Sequence, residues 1–363
     1  MVENLKPLTS LRFFAAVWVV FYTWWGKGDF GPIPAFFAKG YLGVDLFFVL
    51  SGFILCHVYL KQAGEGRFRY GSFLWNRLAR IYPLHLFTLV VLMLLGGAAA
   101  LMGMSIDPNV LSWRTLWAQL TLTHAWGVTD VSGWNHASWS ISAEWFAYLT
   151  FPIFAAAAWA LHKRPRVAVV LALGALFGAF ALYRSLTGED LTEGTFIGGA
   201  FRIVPSFAYG SALYLLWRSN LLSDMRIAWG LLGLSLAGVI AATSLWAPDV
   251  LTIALFGPLV LSLGALAHAE KNPLASKPLV YLGEISYSVY MLCIPWQLLA
   301  VNGAAKLLGL ESEQLPIWAW APLVALLPVF AAATYQFIEK PARLALKGLS
   351  ARRLRERTTP QVA

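Results

Sequence analysis

Charge is scarce in this chain. Lys, Arg, Asp and Glu make up 12% of its 363 residues, against about 25% in a soluble domain. Acids are the scarcer kind, 18 against 27 bases. The two cysteines, Cys56 and Cys293, are too few for a disulfide framework and lack the spacing of metal ligands, so neither a disulfide nor a metal is expected. No cleavable leader is evident. Met1 to Lys6 leads straight into an apolar segment that carries Arg12, with no small-residue cleavage site. No soluble domain or internal repeat stands out, and the one biased tract is the basic run from Lys347 to Arg357.

Apolar residues take the place of the missing charge, at 59% of the chain. A helix needs about 20 apolar residues to cross the hydrocarbon core of a bilayer. Ten such segments are read, at roughly 8–25, 41–60, 81–102, 144–161, 167–184, 195–217, 227–246, 250–267, 281–301 and 317–338. The expected fold is therefore all-α, a polytopic helical membrane protein in a lipid bilayer. The longest gap, about 103–143, holds one helix-like piece near Trp113 to Leu122.

The bases are not spread evenly. Gaps after even-numbered segments hold Arg67, Arg69, Arg77 and Arg80, then Lys163, Arg164 and Arg166, then Lys271 and Lys277. The other gaps hold few, such as Lys27, Lys39 and Arg114. Short loops rich in Lys and Arg stay in the cytoplasm, which puts both termini there. The same asymmetry explains the net charge of +9 without nucleic acid. Seventeen tryptophans suit the membrane interface.

A charge inside a span needs a partner, a wet cavity or a job. Arg12, Asp45, Glu144 and Arg202 all fall in or beside spans. At 3.6 residues per turn, Ser140, Glu144 and Tyr148 share a face. So do Ser286, Tyr290 and Cys293, and so do Arg12 and Thr23, three turns apart. These polar faces serve either a ligand cavity or hydrogen bonds between helices. Arg77 and Arg80, three apart, point the same way and form either a phosphate clamp or a contact for anionic lipid.

Several segments in order resemble the acyltransferase-3 family of membrane acyl-coenzyme A-dependent O-acyltransferases. They are Leu11-Arg12-Phe13-Phe14-Ala15-Ala16, Gly43-Val44-Asp45-Leu46-Phe47-Phe48 with Ser51-Gly52-Phe53, and Arg77-Leu78-Ala79-Arg80-Ile81-Tyr82-Pro83. Trp139-Ser140-Ile141-Ser142-Ala143-Glu144, Leu282 to Tyr290 and Tyr335 to Pro341 complete the set. The resemblance spans residues 8–343 and leaves 344–363 as a basic cytoplasmic tail.

The resemblance implies transfer of an acyl group, acetyl above all, from acyl-coenzyme A to a hydroxyl of a sugar, polysaccharide or glycolipid at the bacterial inner membrane. No permanently bound cofactor is implied. Arg12, the position of Thr23, Asp45 and Glu144 become the expected catalytic set. Arg77, Arg80, Tyr82, Tyr287 and Tyr290 become the expected donor-binding set. The family carries a histidine eleven residues after the first arginine and another at the end of the ninth-span tyrosine segment. This chain has Thr23 and Cys293 there. Two alternatives stay open beside the enzyme: a catalytically impaired relative, natural or engineered, and a transporter or flippase. The six histidines, among them His57, His85 and His136, offer possible substitutes for the missing imidazoles.

Overall fold

The structure is a computed structural model describing residues 5–103, 111–131, 133–269, 271–310 and 314–358, with side chains to Leu349. Its main helices are α1 (Lys6–Trp24), α2 (Gly43–Gly64), α3 (Tyr70–Leu101), α4 (Leu116–Thr121), α5 (Trp139–Leu149), α6 (Phe151–Ala160) and α7 (Pro165–Thr187). There follow α8 (Gly199–Arg218), α9 (Met225–Ser244), α10 (Asp249–Ala265), α11 (Lys277–Trp296), α12 (Ile317–Thr334) and α13 (Lys340–Thr358). Pro7, Pro165 and Pro278 sit in the first turns of α1, α7 and α11, where a missing N–H costs nothing. Among the described residues the only β pairings are two isolated bridges, Gly28 with Leu315 and Thr195 with Gly198.

Each of the ten expected segments contains helix. Among the described residues, seven helices are long and apolar enough to span a bilayer, or eight if α5 and α6, bent by 57°, count as one span. The bend falls at Thr150, where Pro152 cannot continue the hydrogen-bond ladder of α5. α1 and α8 have the length, 19 and 20 residues, but are not among the seven. Both carry polar residues, Ser10 and Arg12 in α1, Arg202, Ser206 and Ser211 in α8. Ser10, Arg202, Ser206 and Ser211 are buried in the bundle, so these two helices are internal.

The most extensive packing joins α2 to α8 and α1 to α11. Glycine makes both possible. A Cβ on Gly210 would lie 1.9 Å from the Val49 carbonyl oxygen, and one on Gly52 would lie 2.1 Å from that of Phe207. The two backbones touch through a reciprocal pair of glycines, the close approach that small residues allow in membrane bundles. Gly283 plays the same part against Thr9 of α1, at 2.0 Å. Outside this centre, α7, α9 and α12 present exposed apolar side chains such as Val170, Leu234 and Val329.

The expected extra helix in the long loop is present as a turn at Trp113–Thr115 running into α4. α13 follows α12 through an irregular turn at Tyr335–Glu339 and packs on α3, with the Trp75 indole donating to the Leu346 carbonyl oxygen at 2.8 Å. The side chains of Arg352, Arg353, Arg355 and Arg357 lie outside the described residues.

Candidate active site

A cavity of about 210 Å³ lies among the helices beside the first turns of α3. α1 contributes Arg12, and α3 contributes Arg77 and Arg80. α5 contributes Ser140, Glu144 and Tyr148, and α11 contributes Tyr287 and Tyr290. Along α2 the lining runs from Val44 to Leu55, eleven residues or about 16 Å of helix. Three guanidiniums thus face one carboxylate, an interior suited to an anion.

The carboxylate is held in place. Tyr148 donates to Glu144 Oε1 at 2.5 Å and Ser51 donates to the same oxygen at 3.0 Å. Arg12 lies within the field of Arg80, Glu144 and Glu339. Arg77 stacks over the Tyr59 ring, 5.7 Å from its centroid, and its buried Nε has no hydrogen-bond partner. Such an atom is costly to leave without a partner. Tyr287 spends its hydroxyl on the Ile81 carbonyl oxygen, 2.7 Å away, so it contributes its ring and not its proton.

A second, larger cavity, about 750 Å³, lies on the far side of Tyr290 and Val44, which line both. Its walls include Thr23, Cys293, His136, Trp139, Glu193 and Arg202. The Tyr290 hydroxyl donates to the Ala137 carbonyl oxygen at 2.8 Å and accepts from Ser140 at 2.9 Å. Tyr290 is thus a tethered partition.

Of the nine residues singled out in the sequence, six line the first cavity: Arg12, Glu144, Arg77, Arg80, Tyr287 and Tyr290. Thr23 does not. It shares the face of Arg12 but sits about 16 Å further along α1, in the second cavity that Cys293 also lines, and donates its hydroxyl to the Val19 carbonyl oxygen at 2.9 Å.

Asp45 lines neither cavity. Helical geometry turns it about 100° from the lining residue Val44, against α8. There Arg202 grips it with Nε at 3.2 Å and Nη2 at 2.5 Å. Both side chains are at most 2% exposed. Arg202 also donates to the Thr192 carbonyl oxygen and lies 4.9 Å over the Trp139 ring. Tyr82, two residues past Arg80, faces the other way and donates to the Leu120 carbonyl oxygen at 3.1 Å. Ser286 turns back onto the Gly283 carbonyl oxygen at 2.8 Å. Ser51 was not singled out. Its spacing from Val44 and Phe48, seven and three residues, is the signal that puts it on the lining face.

The long loop holds the start of α5 in place. The rings of His85 and His124 stack 5.8 Å apart, and His124 Nε2 meets the Ser138 hydroxyl at 3.0 Å. Burial pushes the His124 imidazole down to about 3, and the neighbouring His85 adds to the shift, so His124 stays neutral. Asn135 is tied to Thr88 and to the Met291 carbonyl oxygen. These bonds set the position of Trp139 and of the four cavity residues that follow it, Ser140, Ile141, Glu144 and Tyr148.

The sequence profile of a family described as an acyltransferase domain matches residues 7–336. The chain belongs to the acyltransferase-3 family. It is similar to the acyltransferase MdmB of Streptomyces mycarofaciens, 27% identical over 90% of this chain and 86% of MdmB. It is similar also to nodulation protein 10 of Rhizobium leguminosarum bv. viciae, 26% identical over 95% of both chains. The match to the peptidoglycan O-acetyltransferase OatA of Listeria monocytogenes is 23% identical and covers 94% of this chain but 56% of OatA, so the chain spans about half that relative. No solved structure matches. Family and apolar helices together make this acyltransferase a multi-pass membrane protein.

Proposed function

We propose that the first cavity binds the thioester end of an acyl-coenzyme A, acetyl-coenzyme A above all, and that the chain transfers the acyl group to a hydroxyl of a sugar, polysaccharide or glycolipid. The observation that carries this reading is the convergence of Arg12, Arg77 and Arg80 on one interior hollow with Glu144. At about 210 Å³ the hollow is smaller than the roughly 300–1,000 Å³ of pockets that take whole ligands. It suits the acyl-pantetheine arm, with the coenzyme phosphates at the mouth. Arg77 and Arg80 offer the planar forks that match phosphate oxygens.

The reaction is a simple exchange of acyl bonds. The acceptor oxygen attacks the thioester carbonyl carbon, the carbon–sulfur bond breaks, and its electron pair leaves on the coenzyme A sulfur. The acceptor proton leaves with a base, and the thiolate takes a proton from water. Arg12, on the cavity wall with Glu144, faces the developing negative charge, and fixed charge aimed at a transition state is worth more in a water-poor site. Glu144, fastened by Tyr148 and Ser51, positions Arg12. The basic end and both termini face the cytoplasm of a bacterial inner membrane. The Lys and Arg bias of the loops and the bacterial origin of the relatives support this, and ten crossings fit the ten helical segments.

Release of free thiol from acetyl-coenzyme A by the purified protein, in its own membrane lipid extract, tests the reading. Turnover that Arg12→Ala abolishes supports it. A second reading, an impaired relative that binds donor without turning it over, is favoured by Thr23 and Cys293 facing each other in the second cavity where no imidazole sits on either residue. It predicts coenzyme A binding without turnover, and large activation by Thr23→His.

A further inference from the structure

The second cavity shares the partition Tyr290 and Val44 with the first but is lined by neither Arg77 nor Arg80. Resting on the donor reading above, we propose that it seats the carbohydrate acceptor and that His136 is the base that takes the acceptor's proton.

The walls fit a sugar. Tyr22 is 44% exposed and offers an aromatic face. Glu193 and Thr195 offer a carboxylate and a hydroxyl to the polyol. At about 750 Å³ the cavity holds a drug-sized or disaccharide-sized ligand by the usual range of roughly 300–1,000 Å³. One wall is rigid. Asp249 accepts from Lys39 at 2.6 Å, Tyr41 at 2.8 Å and Thr192 at 2.5 Å, so those groups hold the wall and are not the base.

The base follows from the chemistry of what remains. The titratable or charged groups facing the cavity are Tyr22 and Tyr41, Glu193 and Arg202, and Tyr290, Cys293 and His136. A guanidinium is always charged and a phenol ionises near pH 10. Tyr290 is tied to Ala137 and Cys293 is 2% exposed. Arg202 is closed against Asp45. A carboxylate such as Glu193 is a weak base at neutral pH, whereas burial lowers the His136 imidazole from its ordinary value and leaves it neutral, able to take a proton. His136 is exposed at the cavity wall, at the very start of the turn that leads into α5. Eight residues on, about 12 Å along that same segment, Glu144 lines the donor cavity. One segment therefore carries a base on the acceptor side and the arginine-positioning carboxylate on the donor side. In the transfer, the acceptor O–H proton passes to the imidazole, the new carbon–oxygen bond forms at the partition, and the sulfur departs toward Arg12. His136 then gives the proton to water in its own cavity.

The test uses membranes of the cell that encodes the chain, so that the natural acceptor is present, with the full chain and radiolabelled acetyl-coenzyme A. Alkali-labile label in the membrane fraction is counted for wild type, His136→Ala and His136→Gln. Expected is a 10²- to 10⁴-fold loss of label in both variants, the usual size of a lost general base. In His136→Ala, added imidazole restores part of the label, and an ionisation below the ordinary histidine value disappears from the pH profile. Both variants keep the thermal stabilisation that coenzyme A gives the wild type, which shows that they fold. Wild-type labelling in His136→Ala, or a loss that imidazole does not relieve with an unchanged pH profile, overturns the proposal. A wild type that binds coenzyme A yet labels nothing also overturns it. Absence of coenzyme A stabilisation in the wild type instead overturns the donor reading on which it rests.

Discussion

The hydroxyl of Tyr290 is bonded to the Ala137 carbonyl oxygen at 2.8 Å, and the tyrosine lines both cavities. Its removal widens the boundary at which the acceptor hydroxyl would meet the thioester. In Tyr290→Ala, water from the second cavity reaches the thioester. Acetyl-coenzyme A hydrolysis without acceptor is expected to rise severalfold while ester formation on the acceptor falls. Free thiol and acceptor ester, measured together, should change in opposite directions. Parallel change in both contradicts the partition.

Glu144 gives a second prediction. Ser51 and Tyr148 both donate to its Oε1, so its amide still fits but no longer balances Arg12. Glu144→Gln is expected to lower kcat about 10-fold, through loss of the charge that balances Arg12 in a water-poor site, with KM for acetyl-coenzyme A little changed. Steady-state kinetics separate the two constants. A rise in KM with kcat intact sinks the positioning role.

Asp45 shows how far the sequence can be read. A carboxylate in a span is a fair candidate for a site, and the helical period of Val44, Phe48, Ser51 and Leu55 was available to say that Asp45 points elsewhere. The lining role of Arg12, Glu144, Arg77, Arg80, Tyr287 and Tyr290 was legible, because charge is rare in this chain and i to i+3 or i+4 spacing groups it by face. Helix positions were legible from apolar length. The inward turn of α1 and α8 was not, because it depends on which neighbours their polar faces meet. The second cavity was not legible either. Tyr22, His136, Glu193 and Arg202 come from four separate stretches of chain, and only the packing brings them together.

The buried pair makes its own prediction. Asp45 and Arg202 are sealed from solvent, and loss of one partner strands the other charge at a cost of about 3–5 kcal/mol. Asp45→Ala is expected to lose yield and thermal stability, and the double variant Asp45→Leu, Arg202→Met to regain much of it. Fluorescence-detected unfolding in detergent gives the comparison. If Asp45→Ala is as stable as the wild type but inactive, Asp45 belongs to the site after all.

His124 sets a pH dependence. Its folded-state value, about 3, lies below the ordinary histidine value of about 6.5. The unfolded chain therefore binds a proton that the folded chain refuses. The contribution to stability is full above about pH 6.5 and is lost as pH falls from there toward 3. Melting temperature should decline over that interval, and the decline should be shallower in His124→Gln by up to one proton per molecule. An identical slope in the two proteins contradicts the burial argument.

Binding of coenzyme A to the purified chain is the most direct test of the donor cavity, because a ligand that binds the folded state must stabilise it. Wild type is expected to show a saturable rise in melting temperature with coenzyme A and a much smaller one with pantetheine, which lacks the phosphates. Arg77→Gln, Arg80→Gln should weaken coenzyme A binding roughly 10- to 100-fold for each phosphate deprived of its guanidinium and leave pantetheine unaffected. No shift with millimolar coenzyme A, or equal shifts in wild type and double variant, contradicts the account.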